Sequence, residues 1–140
     1  MTPEEAVEQA YLTWGTDWGT TTSFVREQEN SATLWGGTAS WARISVVELP
    51  TGGQETLGPV GGRKYIRRMA VRVQIFSRTN SGVGPGMRLA EQARGIFEGK
   101  RIVAATGTMY FDDARIQRGG DDGKWLVHLM TADFFIEQVK

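Results

Sequence analysis

Apolar side chains recur along this chain at two periods, and the switches between them mark the elements. Ala6, Val7, Ala10, Tyr11 and Trp14 fall at i, i+1, i+4, i+5 and i+8, one face of a helix. Thr2 is placed to cap that helix, Pro3 sits at N1 where its missing N–H costs nothing, and Glu5 completes a capping box. Gly15 predicts its end. A second stripe, Leu89, Ala90, Ala93, Ile96 and Phe97, leaves Arg88, Glu91, Arg94 and Glu98 outside and predicts a helix closed by Gly99 at C′.

Elsewhere the period is two. Trp41–Leu49 is β-branched and bounded by Pro50, which predicts a strand. In residues 63–76 Tyr65, Met69, Val71, Val73 and Ile75 share one face, while Arg68, Arg72 and Gln74 share the other. Fully extended, that segment would reach roughly 45 Å, far beyond an ordinary strand of about 5–6 residues. Between the two, residues 51–62 (TGGQETLGPVGG) predict no regular structure, and the pair reads as a hairpin arm with this segment at its tip. Met109–Arg118 and Lys124–Val139 predict a closing hairpin, with Asp122-Gly123 as a type I′ turn signal. Residues 15–40 hold no sustained period apart from a short strand around Phe24-Val25, and residues 77–86 predict a Gly-rich connector.

The expected order is therefore α-β-β-α-β-β: one α+β domain over residues 1–140, a two-layer sandwich. At least four mainly antiparallel strands would carry both helices on one face. A length of 140 residues suits a single core. Gly, 18 of 140 residues, gathers between elements as punctuation rather than as a low-complexity repeat.

Charge changes the picture more than composition does. The net charge is zero. Yet residues 1–62 carry two basic against eight acidic side chains, residues 63–118 twelve against four, and residues 119–140 two against four. Solvated faces would account for this split. So would a molecule with an acidic side and a basic side, suited to meeting copies of itself or a charged partner.

Candidate chemistry is sparse. With no cysteine and a single histidine, His128, the chain has no thiolate zinc site, Cys nucleophile, disulfide scaffold or two-histidine site. Gly82, Gly84 and Gly86 stand between a strand and a helix, but Met87 and Pro85 break a dinucleotide fingerprint, and residues 58–64 lack the P-loop ending. Asp112-Asp113 and Asp121-Asp122 lack further oxygen ligands at metal-site spacing and read as turn and edge residues. His128 lies mid-strand with no assignable carboxylate or nucleophile, which predicts a packed histidine. The apolar runs, such as Ile102–Ala105, fall short of the ~18 residues of a membrane span, and no export signal is evident. We expect no enzyme, cofactor, metal or membrane. Arg63, Lys64, Arg67, Arg68 and Arg72, with Tyr65 among them, could meet phosphate, although a pI near 6.6 argues against sequence-specific nucleic-acid binding.

The organisation resembles the tail terminator-like proteins of long-tailed phages, related to the minor tail protein U of lambda-like phages. The resemblance rests on the Trp41-Ala42-Arg43-Ile44 strand, Leu57-Gly58 in a Gly-rich arm, and the basic approach Arg63–Arg68 into residues 71–76. Gly84, the helix of residues 89–97 and the Gly123–Trp125 hairpin with its closing strand complete it, and the first helix fits. It implies a virion structural protein, probed neither by substrate nor cofactor: a self-assembled ring, six-fold by analogy, that caps the tail tube and stops its growth. Such a ring joins the tube to the head-side connector at the head-proximal end of the tail, after assembly in the host cytoplasm. Its contacts would fall on Leu57, Gly58, Arg63, Lys64, Tyr65, Arg67, Arg68 and Arg72. A head-completion or neck protein contacting connector and packaged DNA is the alternative, and a small host-encoded binding module a third.

Overall fold

The computed structural model describes residues 1–50, 64–121 and 123–139; the tip of the expected arm and Asp122 lie outside them. Helix α1 spans Pro3–Trp18, and its start is the expected capping box: Glu5 N–H donates to Thr2 Oγ1 and Thr2 N–H to Glu5 Oε2, each at 3.2 Å. The helix runs one turn past the expected stop at Gly15. Trp14 and Trp18, four residues apart, stack at 4.4 Å inside the core, and Gly19 (φ +55°) ends it instead.

Strand β1 (Ser23–Arg26) pairs parallel with β2 (Trp41–Glu48). Parallel neighbours need a crossover of a dozen or so residues, and the segment between them, with the five-residue helix α2 (Ala32–Gly36), supplies it. Much of the expected irregular stretch is thus a connection with a helix of its own. Strand β3 (Lys64–Arg78) is the long strand expected, and a 3₁₀ turn at Thr79–Ser81 leads to α3 (Gly84–Phe97). Gly84 and Gly86 therefore belong to the first helical turn and not to a connector. Gly99 (φ +65°) follows the helix as predicted.

A strand not foreseen, β4 (Arg101–Ala104), turns into β5 (Gly107–Asp121), and β6 (Trp125–Val139) closes the chain. The order along the six-stranded sheet is β1-β2-β3-β6-β5-β4, antiparallel except for the first pair. The fold class is α+β, as expected. The detailed order is corrected to α-β-α-β-β-α-β-β-β: β1 is the short strand expected around Phe24-Val25, and α2 and β4 are too short to leave a sequence period.

Strand alternation gives the sheet two unlike faces. Ile44, Met69, Val71, Val73, Ile75, Met130, Ala132, Phe134 and Ile136 point toward α1 and α3 and are buried with Ala10, Trp14, Ala93 and Phe97. Both long helices thus lie on one face, as expected. Helix α2 lies on the opposite face, where Trp35 packs over Trp41, Phe76 and Trp125.

Candidate assembly surface

The residues of the other face start with β3. Its even positions, Arg68, Ala70, Arg72, Gln74 and Phe76, point away from α1 and α3. At one end the aromatic cluster closes under α2. The helix is too short to hold itself, and the rest of the fold holds its C-terminal end. Lys124 Nζ (2.8 Å) and Trp125 Nε1 (3.2 Å) donate to the Trp35 carbonyl, and Arg78 donates to that of Gly37 at 3.4 Å. Cationic donors on helical carbonyls are the favourable arrangement at that end.

Beyond this cluster no helix among the described residues covers the sheet. Along one row, Arg72 lies beside Ser45 of β2 and Thr131 of β6, and Arg115 of β5 follows Thr131. In the next rows toward the arm, Asp133 pairs with Ala70, and Arg68 faces Phe135, which stacks on Tyr110 at 4.8 Å. Arg101 lies over the Tyr110 ring at 5.3 Å. Arg115 is held by Asp133 at 3.2 Å. The side chains of Arg68 and Arg72 are exposed and make no hydrogen bond or ion pair among the described residues.

The predicted basic run is thus split. Arg68 and Arg72 share the uncovered face with Arg115. Tyr65 and Arg67 point to the side of the strand that carries α1, where Arg67 lies 5.5 Å from the Tyr65 ring centre and donates to Gln138 Oε1 at 3.1 Å. Lys64 opens β3 opposite Val139. Leu57, Gly58 and Arg63 lie outside the described residues. Arg115, Tyr110 and Phe135 escaped sequence reasoning because only the register of β6 against β3 and β5 brings them beside Arg68 and Arg72.

A second surface lies on the other side of the molecule. Two adjoining hollows, of about 530 and 450 Å³, run along the outer flank of α1 and share Val7, Tyr11 and Arg26. Their carboxylates are Glu5, Glu8, Glu27 and Glu29, and Arg26 is the basic side chain among them, spent on stacking 4.5 Å over Tyr11. Burial raises the Tyr11 phenol above its ordinary pKa, with Arg26 opposing and Glu27 adding to the rise. Leu12, at the groove's lip, is 64% exposed.

The other candidates resolve into structure. Gly86 is where α3 crosses β3 and β6: a Cβ there would stand 2.5 Å from His128 Nδ1 and 2.8 Å from Ser77 Oγ. His128 is 1% exposed, with Nδ1 unpartnered, and burial followed by the Arg118 charge lowers its pKa. Asp112 and Asp113 sit in an irregularity of β5, where Glu98 Oε2 accepts from Ala114 N–H at 2.9 Å. Asp121 Oδ1 accepts from Gly123 N–H at 2.7 Å, as turn chemistry suggests. Among the described residues no three His, Asp or Glu side chains gather as metal ligands, and no helix is long and apolar enough to cross a membrane.

No family model matches the chain, and no curated protein matches it in sequence. A solved structure with no functional name does match in shape, with a TM-score of 0.61 over 92% of this chain and 94% of the other at 8% identity. At that identity the likeness is one of fold.

Proposed function

We propose that this chain is a non-enzymatic structural subunit of a long-tailed phage, forming a ring that caps the tail tube, ends its polymerisation and joins it to the head-side connector. The observation that carries this reading is the presence of two unlike surfaces: a sheet face on which Arg68 and Arg72 have no side-chain partner among the described residues, and an acid-lined groove on the helical side. A closed ring is built from heterologous contacts, in which one surface of each subunit meets a different surface of the next. Two unlike surfaces of opposite charge are what such a contact needs. The resemblance of the β2–β3 and α3–β6 segments to tail terminator-like proteins supplies the biological setting, and six subunits is the number it suggests.

The function asked of such a ring is specificity and not turnover. Each ring added to a growing tube recreates the same docking surface, so a terminator must match that surface on one side and present a different one on the other. Particles made without this protein should carry overlong, unjoined tubes while heads and DNA packaging are intact. Tubes of normal length in its absence, with heads that leak DNA, would replace this reading with the neck alternative. That second reading draws on the same arginine row, since Arg43, Arg68, Arg72 and Arg115 alternate onto one face and could follow a phosphate backbone. Its mark would be DNA retention that falls steeply with salt.

A further inference from the structure

We infer that the groove on α1 is the receptor for the uncovered β3 face of a second copy of this chain, so that Glu8 and Glu27 of one subunit meet Arg68 and Arg72 of the next. The inference rests on the ring-forming part of the reading above and says which surfaces touch. Three observations select the second copy as occupant. The groove is acidic and its one lining arginine, Arg26, is already engaged with Tyr11, so its excess charge is unanswered among the described residues. The sheet face carries the complementary excess: Arg115 has Asp133, whereas Arg68 and Arg72 have no acidic partner among the described residues. Each surface also offers apolar area to bury beside its charges. Tyr11, Val7 and the 64%-exposed Leu12 line the groove, and half-buried Val47, Leu129 and Phe135 surround the arginines.

The geometry also explains why the contact is not made within one molecule. The groove lies on the side of the sheet that carries α1, and the side chains of Arg68 and Arg72 leave from the opposite side. A subunit cannot fold its own sheet face onto its own helix, but a neighbour can present one to it. Arg68 and Arg72 are four residues apart on one strand, about 13 Å, so they reach two separate points along a receptor rather than one. The contact is head-to-tail, because the two surfaces differ, and repeated copies must either close into a ring or run on as a filament.

The test uses the full chain at low ionic strength and several concentrations, followed by native mass spectrometry and sedimentation. One variant carries Arg68→Glu with Arg72→Glu, the other Glu8→Lys with Glu27→Lys. All four side chains are exposed, so both variants should keep the wild-type circular dichroism and thermal transition. The wild type should form closed assemblies that loosen with added salt, and each variant alone should associate at least tenfold more weakly. An equimolar mixture of the two should assemble again, with the two variants alternating. The intact arginines of one variant fill the intact groove of the other, and the altered surfaces left outward, one acidic and one basic, pair in their turn. A chain carrying all four reversals should assemble again, since its altered surfaces attract each other. A wild type that stays monomeric, variants that assemble like the wild type, or a mixture that stays dissociated would each overturn the inference. Mixed assemblies as expected, together with normal tube length in particles lacking the protein, would leave this contact standing and remove the tail-capping function. Correct capping by variants that assemble unchanged would do the reverse.

Discussion

The two faces of the sheet are made from the same strands and differ in almost everything else. On the face under α1 and α3, alternate residues of β2, β3 and β6 are aliphatic or aromatic and fully buried, with Trp14 set between Trp18 at 4.4 Å and Phe97 at 6.5 Å. On the opposite face one end is sealed by three aromatic rings under Trp35 of α2, and the rest carries arginines over half-buried apolar residues. Positions 71 and 72 illustrate the contrast: Val71 is buried in the core, while the side chain of Arg72, its immediate neighbour in β3, is exposed and has no partner among the described residues. The first face makes the fold. The second, with its exposed arginines, is where stability has been left unspent.

The sharpest way to break the comparison is a matched pair of truncations. Trp14→Ala empties a fully buried site and should cost about 3–5 kcal/mol of unfolding free energy, enough to bring a small domain close to unfolding. Arg72→Ala removes a long side chain from the open face and should change stability by less than about 0.5 kcal/mol. Urea denaturation of the two variants measures both. Equal losses would mean that the open face is structural and not reserved for a partner.

The next largest effect is expected at Gly86, on the covered face. Alanine there must push against His128 Nδ1 and Ser77 Oγ, both side chains fully enclosed, so Gly86→Ala should cost about 1–3 kcal/mol. Combining it with His128→Ala removes the nearer obstacle, and the pair should be less damaging than the sum of the singles by about 1 kcal/mol. Strict additivity in denaturant melts would mean that α3 simply shifts off the sheet.

The aromatic end of the open face should behave differently from both. Trp35 is half-buried, touches three rings, and belongs to a five-residue helix. Trp35→Ala should cost about 1–2 kcal/mol, roughly half of what a fully buried Trp costs. The loss should be local: amide exchange should rise at residues 31–38 while β3 and β6 stay protected. Exchange that rises evenly through the sheet would show that α2 is part of the core after all.

How much of this was legible in the chain follows from how local each cause is. Thr2, Pro3 and Glu5 announce the start of α1 because a capping box acts within four residues, and β3 is legible because its alternation is long. The crossover between β1 and β2 was not, since α2 is held by Lys124 and Trp125, about ninety residues away, and by Arg78. A five-residue helix held from outside leaves no period of its own. The same limit applies to the candidate surface. Alternation alone separates Arg68 and Arg72 from Met69 and Val71. Their neighbours Arg115, Phe135 and Tyr110 depend on strand register, and the groove depends on which segments α1 leaves uncovered.

The smallest expected effect tests whether the covered face is as dry as its packing implies. His128 stands on that face, 1% exposed, with Nδ1 unpartnered, and burial is the main cause of its lowered pKa, with Arg118 second. The unfolded chain binds a proton on this histidine near pH 6.5, and the folded chain resists it to lower pH. Below that pH the unfolded state therefore holds more protons, so stability rises with pH across the interval between the folded and unfolded values. The contribution is whole above about pH 6.5 and is lost progressively as the pH falls through the unfolded value toward the folded one. Carboxylates titrate over part of the same range, so the useful quantity is the difference between the wild type and His128→Asn, which keeps a polar side chain but cannot take up a proton. Between pH 7.5 and pH 5 the wild-type denaturation midpoint should fall relative to that of the variant. A gap that stays constant across the interval would show that the imidazole is protonated in place, which requires water or a counter-charge beneath the first turn of α3 and would make the covered face less sealed than the open one.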